Sequence, residues 1–225
     1  MRVKRNIALL MNKIFLKIGL ATTLIVCAIP ASSRVTEQIS EAPQLITFKK
    51  LAFKDSHKKH LLNDRVLAFS DMQNIQLSSG KDGQKWDFRI AGLHPKKCRF
   101  ALRKLSQYER YKDFLGLVKE SKYKEKGHHL SMLLDAKLMP FPMRLSFQLP
   151  RIKSPGVYTF GFDRGFLKGL KGEIHVSKHK NRCLFYTTSY WQGAKTSIPN
   201  AVFEFFSKTL GKMSMEKLFQ ISKSY

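Results

Sequence analysis

The sequence predicts an α+β fold, a curved antiparallel sheet of about seven strands wrapped around one long C-terminal helix. Three observations carry that prediction. Between residues 84 and 191, apolar and polar residues alternate in short runs separated by glycine, proline and lysine, the period-two signature of half-buried strands. One stretch of helical period interrupts them after the first run. From residue 198 the period lengthens to three or four and holds to residue 223. Alternating strands with one wet face imply an antiparallel sheet, and a single long apolar helix must then cover the other face.

In chain order, Trp86, Phe88 and Ile90 alternate with Asp87, Arg89 and Ala91, giving a strand over 84–92. Pro95 opens a region in which Phe100, Ala101, Leu105, Tyr108, Tyr111 and Phe114 recur near helical spacing, read as two short helices. Strands are then expected at 117–125, 129–138, 143–149, 156–163, 171–178 and 183–191. The clearest are Arg144 to Leu149, a strict polar/apolar alternation, and the trio Tyr158, Phe160 and Phe162. Ile198 and Pro199 open the last helix, with proline near the first turn. Its apolar stripe reads as Val202, Phe206, Leu210 and Met213, widened by Phe205, Thr209 and Leu218. Upstream, 65–78 reads as extended and Ser79 to Gly83 as a turn. Residues 34–64 read as a linker with a short helix in its Lys/His-rich part. The domain is thus expected at 65–225, with its core at 84–225.

Residues 1–33 have the three-part layout of a secretory signal peptide. Arg2, Lys4, Arg5, Lys13 and Lys17 precede an uncharged apolar run over 18–31, and Ala31, Ser32 and Ser33 supply small residues before Arg34. The run is short for a membrane span, so export, to a bacterial periplasm, is the expectation, with an uncleaved N-terminal anchor as the rival. Met11 would open an equally good, shorter signal. Cys27 leaves with the signal, and Cys98 and Cys183 remain as an even pair in an oxidising compartment. A bridge and two buried thiols both accommodate that pair.

The 225 residues carry 41 Lys+Arg against 16 Asp+Glu, a formal charge of +25. Without the five cations of the first 33 residues the body keeps 36 against 16, or +20, so the basic character is not the signal's alone. A hydrophobic fraction of 43% excludes a disordered polycation, and three cysteines exclude a disulfide-dense scaffold or a four-cysteine zinc site. No G-x-S-x-G, P-loop or H-E-x-x-H is present. His57 with His60, His128 with His129, and His175 with His179 lack Cys or carboxylate at ligand spacing and read as solvated. Asp163 and Arg164 read as an ion pair at a strand end. No catalytic residue, metal or cofactor is predicted. The positive field attracts anionic partners. For an exported protein these are anionic membrane headgroups; nucleic acid is not expected, because the aromatics fall in strand alternation and a helix stripe rather than on an exposed platform.

Several segments resemble the START-like (SRPBCC) superfamily, in particular its polyketide cyclase/dehydrase-like and coenzyme Q-binding branch. Residues Ser106 to Ser121 look like that branch's D-Y-x-x-Y-P-x-F-x-P-x-V-x-x-S signature, with Lys112 and Gly116 where the signature has proline. Asp163 to Gly172 is similar to the glycine-bearing turn before the family's penultimate strand. Leu61 to Val66 resembles an L-L-x-x-G-x-V lead-in, with Asp64 in place of the glycine. The match covers 84–225, and 60–83 more loosely. It implies a helix-grip fold whose sheet and C-terminal helix enclose an apolar cavity for a hydrophobic small molecule or lipid. The lining would be Tyr111, Phe114, Leu145, Phe147, Tyr158, Phe160, Phe162, Phe203, Phe206 and Leu210. Seventeen Phe against two Trp suits such a lining, since phenylalanine offers apolar area with no N–H to satisfy; a solid core of the same residues is the alternative. The implied role is carriage without catalysis. A cyclase or dehydratase would need an acid or base facing the cavity, for which Tyr111, Tyr158, Asp163 and His175 are the candidates, and a basic interaction protein without ligand is the third reading. The family's closing strand pair, 84–92 with 183–191, would also bring Cys98 near Cys183, where a bridge needs Cα atoms within about 7 Å.

Overall fold

The computed structural model describes residues 44–135, 142–165 and 167–223. The signal-peptide expectation for 1–33 lies outside them. Eight strands form one open, wholly antiparallel sheet: β1 (Leu67–Gln76), β2 (Asp82–His94), β3 (Val118–Lys124), β4 (His129–Leu134), β5 (Met143–Gln148), β6 (Gly156–Gly165), β7 (Lys171–His179) and β8 (Arg182–Ala194). Their order across the sheet is β1-β2-β8-β7-β6-β5-β4-β3. The expected seven become eight because the extended segment 65–78 supplies β1, which pairs with β2 from Leu67 opposite Ala91 to Gln76 opposite Asp82. Helices α1 (Asp55–Leu62), α2 (Cys98–Leu105), α3 (Tyr111–Phe114) and α4 (Asn200–Lys223), with two 3-10 turns at Phe48–Lys50 and Tyr108–Arg110, complete the described elements.

The pleat sends alternate side chains to opposite faces. One face carries Trp86, Phe88 and Ile90 of β2, Phe185 of β8, Ile174 and Val176 of β7 and Phe147 of β5, and α4 lies across it. Gly92 permits that approach: a Cβ there would meet Met215 Sδ at 2.7 Å and the Phe219 ring at the same distance. The opposite face is also apolar at one end, where Ala91, Leu93, Leu184 and Tyr186 are buried. Leu51 and Leu61 cover them. Over its described part the expected linker 34–64 is therefore no free tether. Burying leucine is worth about 1.5–3 kcal/mol, and two of them pin this segment to the sheet.

Polar groups fix both ends of α4. At its start, Asn200 Nδ2 donates to Met72 O at 3.1 Å and Glu204 Oε1 accepts the Met72 N–H at 3.0 Å. Trp86 Nε1 donates to Ser70 Oγ, itself 2.7 Å from Ser207 Oγ. The helix thus caps the exposed edge of β1, which would otherwise offer unpaired backbone groups to another chain. At its end, His94 is fully buried between Ser222 and the backbone of Lys96. Nδ1 accepts the Lys96 N–H, so the ring proton sits on Nε2 and is donated to Ser222 Oγ at 2.9 Å. Burial holds this imidazole below its usual pKa, in the neutral form that the two bonds require.

Asp64 takes a left-handed backbone, φ 59°. Aspartate tolerates that region better than most residues. Its carboxylate also pairs with Arg182 and, at 3.7 Å, with Lys223. One residue thereby ties the end of α1 to β8 and to the end of α4.

Cys98 and Cys183 are bonded, with Cα atoms 4.7 Å apart. His94 pairs with Cys183 across β2 and β8, so the bridge fastens α2 to the strand pair that buries the foot of α4. It closes a loop spanning 85 residues. Removing it through Cys98→Ala with Cys183→Ala is expected to cost about 2–4 kcal/mol. Urea unfolding with and without reductant measures this; a midpoint insensitive to both the substitutions and the reductant would contradict it.

Candidate functional site

Between the sheet and α4 the side chains leave two adjoining spaces. The first, about 320 Å³, lies under the N-terminal half of α4. Phe160, Phe162 and Leu145 rise from β6 and β5, while Phe203, Phe206 and Leu210 descend from the helix. The second, about 310 Å³, lies toward the C-terminal half, with Ile90, Tyr111, Phe147, Ile174, Phe185 and Met215 in its wall. Phe88, Thr187, Gly211 and Ser214 belong to both walls and form a waist. Adding a Cβ to Gly211 would bring it within 2.9 Å of Phe88 Cζ, so the absent side chain lets the α4 backbone pack directly on that ring.

Of the ten side chains expected to line a cavity, Leu145, Phe160, Phe162, Phe203, Phe206 and Leu210 lie in the first lobe, and Tyr111 and Phe147 in the second. Two do not join them. Phe114 sits under the Arg110 guanidinium, 5.0 Å from its ring centre. Tyr158 turns its hydroxyl to Ser154 O at 2.7 Å. Sequence reasoning missed Trp86, Phe88, Ile90, Phe185 and Met215. The first three were visible as one face of a strand, but alternation does not say which face a distant helix covers.

The segment resembling the family signature builds the floor of the second lobe. Tyr108 OH donates to Pro150 O and accepts the Ile152 N–H, each at 3.1 Å, and Ser121 Oγ donates to Tyr108 O at 2.6 Å. The signature's first tyrosine and its serine thus lace the turn before α3, strand β3 and the 149–152 segment together. Arg151 reinforces the lacing from outside through Glu109 and Glu125.

The other groups considered for chemistry point away. Asp163 accepts from Ser146 Oγ at 2.8 Å, and His129 Nε2 lies 2.8 Å from the same oxygen. Ser146 alternates with the lining residues Leu145 and Phe147, so this cluster occupies the outer face. Burial raises the Asp163 carboxyl, but the Ser146 bond and the charges of His129 and Arg164 outweigh it and hold the group below its usual range. His175 is also on the outer face, between Glu173 at 3.1 Å and the Ile46 N–H. Tyr111 does face the second lobe, yet its hydroxyl is committed to Leu105 O at 2.6 Å and burial pushes its pKa well up. A larger groove, about 790 Å³, crosses the outer face past Asp87, Lys171, Glu173 and Tyr190, but it is open to solvent and mixed in polarity. Among the described residues no three His, Cys, Asp or Glu side chains converge for a metal ion.

No family model matches the sequence, and no curated protein is significantly similar to it. Solved structures do match. The Zhui aromatase/cyclase from Streptomyces sp. R1128 superposes with a TM-score of 0.51 at 8% identity, over 68% of this chain and 94% of that one. A conserved protein from Geobacillus kaustophilus gives 0.51 at 12% identity, over 61% and 95%. The fold is START-like. At these identities the likeness is of fold alone, and neither match singles out a coenzyme Q-binding branch.

Proposed function

We propose that this START-like protein is exported and carries a hydrophobic small molecule or lipid between its sheet and α4, docking on anionic membranes. The observation that carries the reading is the pair of adjoining apolar lobes. Protein interiors are packed to the density of organic crystals, and voids larger than a water are few. Two spaces near 320 and 310 Å³ are what a ligand site needs and what a solid core avoids. Each buried CH₂ of a ligand would contribute about 0.8 kcal/mol. START-like folds commonly bind hydrophobic small molecules, which agrees. Carriage rather than cyclisation is favoured because Asp163 and His175 lie on the outer face and Tyr111 is hydrogen-bonded away from the lobe.

Export is supported by the layout of residues 1–33 and by the Cys98–Cys183 bridge, a bond that persists in oxidising compartments. Membrane docking is supported by the outward side of α4. Val202, Phe205 and Met213, which share one helical face, are 40%, 55% and 55% exposed. Lys208, Lys212 and Lys217 lie alongside, on a chain of charge +25.

Two measurements test these points. N-phenyl-1-naphthylamine, a neutral apolar fluorophore, is expected to brighten on binding the delipidated protein. Phe206→Asp, which puts a carboxylate into the first lobe, should abolish that binding while leaving the circular dichroism intact. Undiminished binding would place the ligand elsewhere. Phosphatidylglycerol vesicles should co-sediment the protein and phosphatidylcholine vesicles should not, with the effect weakening in salt. Phe205→Ala with Met213→Ala should lower it several-fold, and equal binding to both vesicle types would contradict the docking surface.

A further inference from the structure

The cavity's polar atoms are unevenly distributed. Trp86 Nε1 is taken by Ser70, Ser207 by Ser70 and the Glu204 carbonyl, and Tyr108 and Tyr111 by backbone groups. Thr187 and Ser214 are different. They stand on opposite walls of the waist, one on β8 and one on α4, and each borders both lobes. Neither hydroxyl has a hydrogen-bond partner among the described residues, and neither is a sealed, buried atom, so both stay open to whatever fills the lobes. Ser189, on the same face of β8 two residues along, borders the first lobe in the same condition.

A hydroxyl that an occupant covers without offering a partner forfeits the hydrogen bonds it makes in water, so a molecule seated at the waist is best matched by one that supplies a partner. A second constraint comes from charge. The described lining carries aromatic, aliphatic and hydroxyl side chains but no Asp, Glu, Lys or Arg. An ionised group drawn into the lobes would find no countercharge, and burying it unpaired is prohibitive. A third comes from size. Each lobe alone sits at the low end of the range of about 300–1,000 Å³ typical of small-molecule sites. A long chain would therefore have to occupy both, crossing beside the Phe88–Gly211 contact where Thr187 and Ser214 border both lobes.

Resting on the carrier reading above, we propose that the waist reads one uncharged oxygen function in the middle of a long apolar ligand. A hydroxyl, keto or ester oxygen there hydrogen-bonds to Thr187 Oγ1 and Ser214 Oγ, and the hydrocarbon arms on either side fill one lobe each. Selection among hydrophobic molecules then comes from the position of an oxygen along the chain rather than from a charged head.

Displacement of N-phenyl-1-naphthylamine by methyl 12-hydroxystearate and by methyl stearate tests this. The native protein is expected to prefer the hydroxylated ester by about three- to tenfold, the ratio that a net hydrogen bond or two supplies. Thr187→Val with Ser214→Ala, near-isosteric changes, should bring the ratio between the two esters close to one. Thr187→Ser, which keeps the hydroxyl, should retain the preference. Equal affinities in the native protein, or a preference that survives the double substitution, would overturn the assignment of the waist while leaving the carrier reading standing. Failure of both esters to displace the fluorophore would overturn the two together.

Discussion

The way α4 is held is the constraint on which the rest of the structure depends. Its first turns are hydrogen-bonded to the backbone of β1 through Asn200 and Glu204, and its last turn is bolted to β2 by the His94–Ser222 bond. Between those anchors the helix spans a gap with only side chains beneath it. Because the ends are fixed by directional polar contacts, the middle need not be packed tight to keep the helix in place. The lobes occupy that middle. In a helix held by hydrophobic contact alone, opening such space would remove the interaction that positions it.

The same economy explains the accessory links. The Cys98–Cys183 bridge joins α2 to β8 next to His94, and Asp64 joins α1, β8 and α4. All sit at the C-terminal end of α4. Segment 51–61 adds weight on the reverse of the same strands, where Leu51 and Leu61 cover Leu93, Leu184 and Tyr186. One end of the sheet is thereby covered on both faces and stiffened, and the cavity is suspended from it. The positive charge is a separate matter, since it affects which surfaces the protein approaches and not how it folds.

Most of the sheet was legible in the sequence because strand alternation is a local property: Arg144 to Gln148 and Tyr158 to Phe162 announce β5 and β6 by themselves. The face of α4 was less legible. Its expected stripe ran through Val202 and Met213, yet both are exposed, while the inward row passes through Phe203, Phe206, Leu210 and Phe219. Gly211, Ser214 and Ser222 lie in that inward row. Small and polar residues there, placed for a waist and an anchor rather than for a core, obscure the true periodicity. Phe114 misled for the opposite reason, being an aromatic at helical spacing that serves as a platform for Arg110. The short helix expected in the Lys/His-rich part of 34–64 is α1, but the packing of this segment was not legible, because lysines dominate its composition and hide Leu51 and Leu61, whose partners lie in β2 and β8.

The central claim is that the space between sheet and α4 exists to be filled by a molecule other than the protein. Native mass spectrometry of protein purified from its own source, before and after extraction with organic solvent, tests it most directly. A mass excess of one small hydrophobic molecule that disappears on extraction, and returns when the extract is added back, is the result predicted. A single unadorned mass before extraction, with no uptake from the extract, would contradict it.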